Sequence, residues 1–299
     1  PDYRTYMQEH FNPTMQNKPR QGRWVAEAQW PSPNVRDRVM YLGAEALSEE
    51  VATGQRVVRN PATLGQAAGY FCAGMRFENE LPGDQAADDA LSTYFDTTPL
   101  TEPLEILGRP RLRVSFSVDR PVAQLVARLC DVSPEGISQR ITYRTLNLTH
   151  RDRHETPELL VPGQRYEAEI ALNECAHHLR AGHQPAPQAA EVTLHLESSR
   201  LTLPERRVAT EIAPQNPGAP RDYPTLQSQV LRPASGTSQT TTREDGTVVL
   251  DTFDDYGKAV DPYHGLTVGS HVSMHYAIHP DDPATAVFAS DWEFTFEQE

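Results

Sequence analysis

The sequence predicts an all-β chain: a jelly-roll-like β-sandwich followed by a further β-rich C-terminal segment. Three observations carry this. Apolar and polar residues alternate through Arg111-Leu112-Arg113-Val114-Ser115-Phe116-Ser117-Val118 and again through Tyr166-Glu167-Ala168-Glu169-Ile170-Ala171-Leu172, the pattern of a half-buried strand. Turn formers at Ser133-Pro134-Glu135-Gly136, Pro162-Gly163 and Asp245-Gly246 separate the apolar runs, as expected of many short strands. The 25 prolines among 299 residues disfavour long helices and central strands.

Along the chain, a short strand at Val25-Ala26-Glu27-Ala28 is flanked by Trp24 and Trp30 and closes at Trp30-Pro31-Ser32-Pro33. A short helix is expected over residues 44–52 and a helical turn over 88–94. Strands follow at 111–118, 124–132, 137–148 and 166–172, with shorter runs at 192–196 and 201–203. Residues 213–242 are rich in Pro, Ser, Thr and Gln, the composition of an exposed linker. Strands then recur at 247–251, 272–278 and 292–296. In the middle one, Val272, Met274, Tyr276 and Ile278 are expected on the core face, and His271, Ser273 and His275 on the solvated face. These readings set the expected organisation: a tether over 1–22, the jelly roll over 23–207, a linker over 208–242, and additional strands over 243–299. The opening at Pro1-Asp2-Tyr3 without Met, and the final strand without a closing turn, read as a piece of a longer protein.

Hydrophobic residues make up 38% of the chain and charged residues 23%, enough for a packed core. The net charge of −14 has the wrong sign for displacing counterions from phosphates, so no nucleic-acid partner is expected. No apolar run approaches the ~20 residues that span a bilayer, and no basic segment followed by an apolar stretch marks a signal peptide. Cys72, Cys130 and Cys175 are sparse and far apart. They read as three buried thiols in a reducing cytoplasm rather than a disulfide framework or zinc knuckle.

The chemistry-bearing motifs are largely absent. No G-x-S-x-G pentapeptide supplies a strained nucleophile turn; Gly269-Ser270 is followed by His271 in a strand context. Neither glycine-rich phosphate-binding motif occurs, nor does H-E-x-x-H. His271 and His275 share a strand face, but alternate positions lie roughly 6.5–7 Å apart and no carboxylate accompanies them, so a solvated face is expected. His177, His178 and His183 near Cys175 are expected at a strand end and loop. The neighbours in Asp88-Asp89 and Asp281-Asp282 would point to opposite faces of a strand, which disfavours an acid/base dyad. Trp24 and Trp30 suit a domain interface better than a sugar platform. No catalytic, cofactor-binding or metal-ligating residue is expected.

Four stretches nevertheless form an ordered set. They are Gly22-Arg23-Trp24-Val25-Ala26-Glu27 with Trp30-Pro31-Ser32-Pro33, and Leu81-Pro82-Gly83-Asp84-Gln85 through Asp88-Asp89 to Tyr94-Phe95-Asp96-Thr97-Thr98-Pro99-Leu100. Next comes Ala127-Arg128-Leu129-Cys130-Asp131-Val132-Ser133-Pro134-Glu135-Gly136 followed by Leu146-Asn147-Leu148-Thr149-His150-Arg151, then Leu172-Asn173 through Ala181-Gly182-His183 with Ser199-Arg200-Leu201-Thr202-Leu203-Pro204. In this order they resemble the C-terminal region of CocE/NonD-type serine hydrolases, the group of cocaine esterase and Xaa-Pro dipeptidyl-peptidases. A weaker likeness continues through His264-Gly265-Leu266 and Tyr276-Ala277-Ile278-His279-Pro280-Asp281-Asp282-Pro283. The resemblance implies an α/β-hydrolase domain upstream of Pro1 that carries the catalytic triad and cleaves an ester or X-Pro peptide bond. It implies that this jelly roll buttresses that domain and its cleft, touching substrate only indirectly. Trp24, Trp30, Asp84, Gln85, Asp88 and His183 are the residues expected at the domain interface.

The pattern departs after Gly182-His183. Gln184-Pro185-Ala186-Pro187 follows directly where the resemblance implies an Arg and a further apolar strand, so about one strand and its turn are expected to be missing. Either the numbering passes over residues there or the segment is deleted, and a true deletion would open a sheet edge. Two other classes remain as alternatives: a free-standing ligand- or carbohydrate-binding jelly roll, and a metal enzyme built on the His271/His275 face.

Overall fold

The computed structural model describes residues 3–16, 18–44, 46–60, 64–69, 81–189, 192–208, 229–260 and 265–298. Cys72, His264 and residues 209–228 of the expected linker lie outside the described residues. The chain divides into two units, Pro1–Phe71 with Asn79–Asn216, and Cys72–Glu78 with Pro217–Glu299.

The first unit is a β-sandwich. Its strands are β1 (Tyr3–Glu9), β2 (Gly22–Glu27), β3 (Val35–Leu42), β4 (Leu47–Ser48), β5 (Gln55–Val57), β6 (Thr93–Tyr94) and β7 (Leu104–Gly108). They continue with β8 (Arg111–Ser117), β9 (Gln124–Val132), β10 (Ser138–Asn147), β11 (Tyr166–Ala171), β12 (Cys175–Leu179), β13 (Gln184–Ala189) and β14 (Thr193–Arg206). One five-residue helix, α1 (Ala86–Ala90), precedes β6. One sheet of ten strands runs β11-β8-β14-β7-β12-β1-β2, with β3, β4 and β5 joined beside it; the second runs β10-β9-β13-β6.

The core lies between the inward faces. Leu112, Val114, Phe116 and Val118 face it from β8 and its end, as the alternation predicts; Leu125, Ala127 and Leu129 meet them from β9, with Ala168, Ile170 and Leu172 beside them. The larger of these side chains, Leu, Val, Ile and Phe, each contribute roughly 1.5–3 kcal/mol on burial. The turn between β9 and β10 forms as expected: Gly136 holds φ +82° and donates its N–H to the Ser133 carbonyl at 2.9 Å, a conformation suited to glycine. Close approach explains Gly22 instead: a Cβ there would collide with the Met7 carbonyl oxygen across the β1–β2 ladder.

Several local expectations are corrected. Tyr3–Glu9, expected within a tether, is a full strand, antiparallel to β2 and parallel to β12. The expected helix over 44–52 is replaced by β4, which pairs with the end of β3; Glu45 lies outside the described residues. The two short runs near 192–203 are one 14-residue strand, β14, with a register irregularity between His195 and Arg200. Ser199 sits at that irregularity, donating to the His195 carbonyl at 2.8 Å and accepting the Ser115 N–H at 3.1 Å. A serine there breaks the apolar period while satisfying buried backbone groups. Directly after His183 the chain forms β13, which pairs with β9 on one side and β6 on the other. Cys130 is buried as expected, whereas Cys175 is only half-buried.

The second unit is a five-stranded antiparallel sheet of β15 (Gln229–Arg232), β16 (Ser235–Thr242), β17 (Val248–Val260), β18 (Leu266–His279) and β19 (Asp282–Gln298). The expected linker therefore ends in two strands, both laid on β17. Val272 is buried as expected, but Tyr276 and Ile278 are exposed and Ala277 is buried, so the inferred core face does not persist along β18. Among the described residues, no helix is long and apolar enough to cross a membrane.

Candidate functional site

The core face of β9 reads Leu125, Ala127, Leu129 and then Asp131, since alternate strand residues share a face. A carboxylate thus stands at the end of an apolar row, wholly buried, where an unpaired charge would be very costly. Three imidazoles converge on it. His177 of β12 places Nε2 2.7 Å from Asp131 Oδ2. His183, in the turn between β12 and β13, places Nδ1 2.6 Å from Asp131 Oδ1. His10, one residue past β1, holds Nδ1 3.3 Å from Oδ2 and packs edge-on against the His183 ring.

Burial alone would push the Asp131 carboxyl up, but the close approach of the His10 imidazole, the hydrogen bonds from His177 and His183 and the field of His177 outweigh that and hold it well below the usual carboxylate range. An ionised carboxylate only accepts, so His177 donates from Nε2 and His183 from Nδ1. The node ties three strands to one group: β1 and β12 from the ten-stranded sheet and β9 from the four-stranded sheet.

The opposite face of β9 carries Arg128. It donates to Gln85 Oε1 at 2.7 Å and to Ser92 Oγ at 3.1 Å, and lies 3.4 Å from Asp89 and 3.8 Å from Asp88. Gln85 donates to the Ala67 and Gly83 carbonyls, while Asp88 accepts the backbone N–H groups of Gly65 and Ala67. These residues clamp α1 and its flanking loop onto the sandwich.

Of the six residues expected at an interface, Gln85, Asp88 and His183 are buried within the first unit; internal hydrogen bonds take up their side chains, and they present no docking surface. Asp84 is exposed, with Oδ1 accepting the Ala86 and Ser138 N–H groups. Trp24 and Trp30 are both more than two-fifths exposed. Each meets a tyrosine of β1 that sequence reasoning missed: Trp24 lies edge-on to Tyr6, its direct cross-strand partner, and Trp30 stacks on Tyr3 at 4.9 Å. Tyr3, Tyr6 and Trp30 line a cleft of about 440 Å³ with Leu107, Gln139 and His177.

A second buried polar knot closes the β2–β14 region. Arg206 donates to Glu27 Oε1 and to Glu105 Oε2, each at 2.7 Å, while Ser32 and Asn34 donate to Glu27 Oε2. Burial pushes the Glu27 carboxyl up, and the hydrogen bonds from Ser32, Arg206 and Asn34 more than reverse it. Burial also opposes ionisation of Glu105, yet the His178 imidazole beside it, the Arg206 hydrogen bond and the field of Arg23 bring it down to about 2.

None of these groups makes a nucleophile. Among the described residues, no serine, threonine or cysteine is hydrogen-bonded to His10, His177 or His183. Burial pushes the Cys130 and Cys175 thiols up to about 12, leaving them protonated at neutral pH. In the second unit, His275 Nδ1 lies 2.6 Å from Asp251 Oδ1 and His271 Nε2 lies 3.5 Å from Glu293, cross-strand pairs on a partly solvated face.

Two sheets around one core, with buried carboxylates held by neighbouring cations and imidazoles, define a β-sandwich domain. The chain belongs to the family described as the X-Pro dipeptidyl-peptidase C-terminal non-catalytic domain, whose pattern matches residues 1–184. Cocaine esterase of Rhodococcus sp. (strain MB1 Bresler) is 24% identical over 177 residues, 54% of this chain and 30% of that protein. An aminopeptidase from the marine sediment archaeon Thaumarchaeota archaeon shares the fold at 17% identity and TM-score 0.50, over 62% of this chain and 39% of that one. A CocE/NonD family hydrolase from Staphylococcus aureus shares it at 14% identity and TM-score 0.50, over 67% and 40%. The chain thus spans well under half the length of these relatives.

Proposed function

We propose that this chain is the non-catalytic support of a serine acyl hydrolase, holding an α/β-hydrolase domain of the same protein and helping to wall its cleft. The observation that carries the reading is the aromatic surface on β1, β2 and the bend after β2: exposed Tyr3 with Trp30, and half-buried Tyr6 with exposed Trp24. Exposed tryptophan and tyrosine with an apolar body and a polar tip are the residues enriched at protein contacts. Asp84, exposed beside α1, is a further candidate contact. The family's non-catalytic description and the absence of an activated nucleophile among the described residues both support a division of labour. The bond cleaved by the partner domain is then an ester or an X-Pro amide. A reducing, cytoplasmic setting fits the free thiols Cys130 and Cys175.

The test compares hydrogen exchange in this 299-residue chain and in the polypeptide encoded by the complete gene. Slower exchange across residues 3–9 and 22–30 in the longer protein, reversed by Trp24→Ala with Trp30→Ala, is expected. Equal exchange in both, or a gene encoding no serine-hydrolase domain, contradicts the reading.

A further inference from the structure

We propose that His10, Asp131 and His183 form a binding site for a zinc-type divalent cation, with His177 fixing the carboxylate from behind. This goes beyond the support role and does not depend on it. The sequence offered no such site, because its members are distant along the chain; the fold brings them together. One ligand atom from each of His10, Asp131 and His183 lies within 4.8 Å of the others. The His10 Nδ1 to Asp131 Oδ2 distance of 3.3 Å matches the spacing of neighbouring ligands around a tetrahedral ion with bonds of about 2.0–2.2 Å.

His10 supplies the independent observation. Its side chain is only 9% exposed, yet neither ring nitrogen has a hydrogen-bond partner of adequate geometry among the described residues. Buried imidazole nitrogens ordinarily find partners. An imidazole aimed at a carboxylate without bonding to it is placed as a ligand would be. His177 donates to Asp131 Oδ2 at 2.7 Å, the outer contact that commonly orients a metal-binding carboxylate. Two imidazoles and one carboxylate suit zinc or a neighbouring transition metal better than calcium or magnesium, which favour all-oxygen sites. On binding, the ion takes the place of the His183 Nδ1 proton: a neutral ring moves that proton to Nε2 and stays a neutral ligand, and a doubly protonated ring releases it to solvent. The fourth position would fall to water. Because the ligands come from the end of β1, from β9 and from the turn after β12, the ion would clip the first strand to both sheets of the sandwich.

The test uses the complete 299-residue chain, stripped with chelator and titrated with zinc chloride by calorimetry and thermal unfolding. One equivalent of zinc, with a raised unfolding temperature, is expected. His10→Ala should abolish the stoichiometric binding while the stripped protein unfolds near its original temperature, and His271→Ala with His275→Ala should leave binding intact. Zinc binding that is absent from the wild type, or unchanged in His10→Ala, overturns the proposal. Imidazole nitrogen NMR of the wild-type chain gives a readout free of variant folding. Zinc should shift His10 and His183 and leave His271 and His275 in place; the opposite pattern refutes the site.

Discussion

Asp131 Oδ1 and His183 Nδ1 lie 2.6 Å apart, joining the two motifs that most strongly mark the family resemblance, L-x-D-V-x-P-x-G and Gly-His. They are 52 residues apart in the chain and both are buried. The contact fixes the turn that carries the chain from β12 in one sheet to β13 in the other. Its energetic consequence follows from burial: the carboxylate is tolerable only while its imidazole donors remain.

Asp131→Ala removes the acceptor shared by His177 and His183. A loss of about 3–5 kcal/mol in unfolding free energy is expected, the range for breaking a buried charged pair from one side. Asp131→Asn, which keeps the shape and one acceptor oxygen, should lose less. Urea unfolding followed by tryptophan fluorescence measures both.

Arg206→Met strands Glu27 with both side chains only 1% exposed, so it should also cost about 3–5 kcal/mol. Adding Glu27→Met should recover much of the loss, because the uncompensated charge is then gone. Comparing the two single variants with the double variant separates the coupling from lost packing.

Acid should destabilise the fold beginning near the ordinary carboxylate range. Glu27, Glu105 and Asp131 all ionise more readily folded than in a free chain, with Glu105 brought down to about 2. The unfolded chain therefore binds more protons on acidification. Stability from these groups is fully present above the ordinary value of 4.5 for glutamate and is lost as pH falls toward about 2. Unfolding midpoints measured across that window should decline steadily; a flat profile would contradict the assigned ion pairs.

Gly22→Ala should cost about 1–3 kcal/mol, because the added methyl collides with backbone rather than with a movable side chain. Circular dichroism melting of the variant checks this. An unchanged midpoint would show that β1 does not pair with β2 in this register.

The sandwich core was legible where apolar alternation is uninterrupted, as in β8 and β11, and where a glycine marks a turn, as at Gly136. Strand β14 was not legible as one element, because Ser199 and the register irregularity interrupt its apolar period. The short β4 resembled a helix until its pairing with β3 was known, since nearby Ala and Leu residues favour either state in isolation. The candidate site was hidden for another reason: His10, Asp131, His177 and His183 lie on different elements, and no spacing rule links them. One signal was present. Asp131 continues the apolar row of Leu125, Ala127 and Leu129, and a carboxylate in such a row requires buried partners. Trp24 and Trp30, expected at a domain interface, are each more than two-fifths exposed, and their partners Tyr3 and Tyr6 were overlooked because their strand was read as a tether.

The central claim is that the bond-breaking serine belongs to another domain. Incubating the 299-residue chain with a fluorophosphonate probe and recording its intact mass tests this most directly. An unmodified mass is predicted, alongside labelling of the protein encoded by the complete gene. A stoichiometric adduct on any serine of this chain would contradict the account.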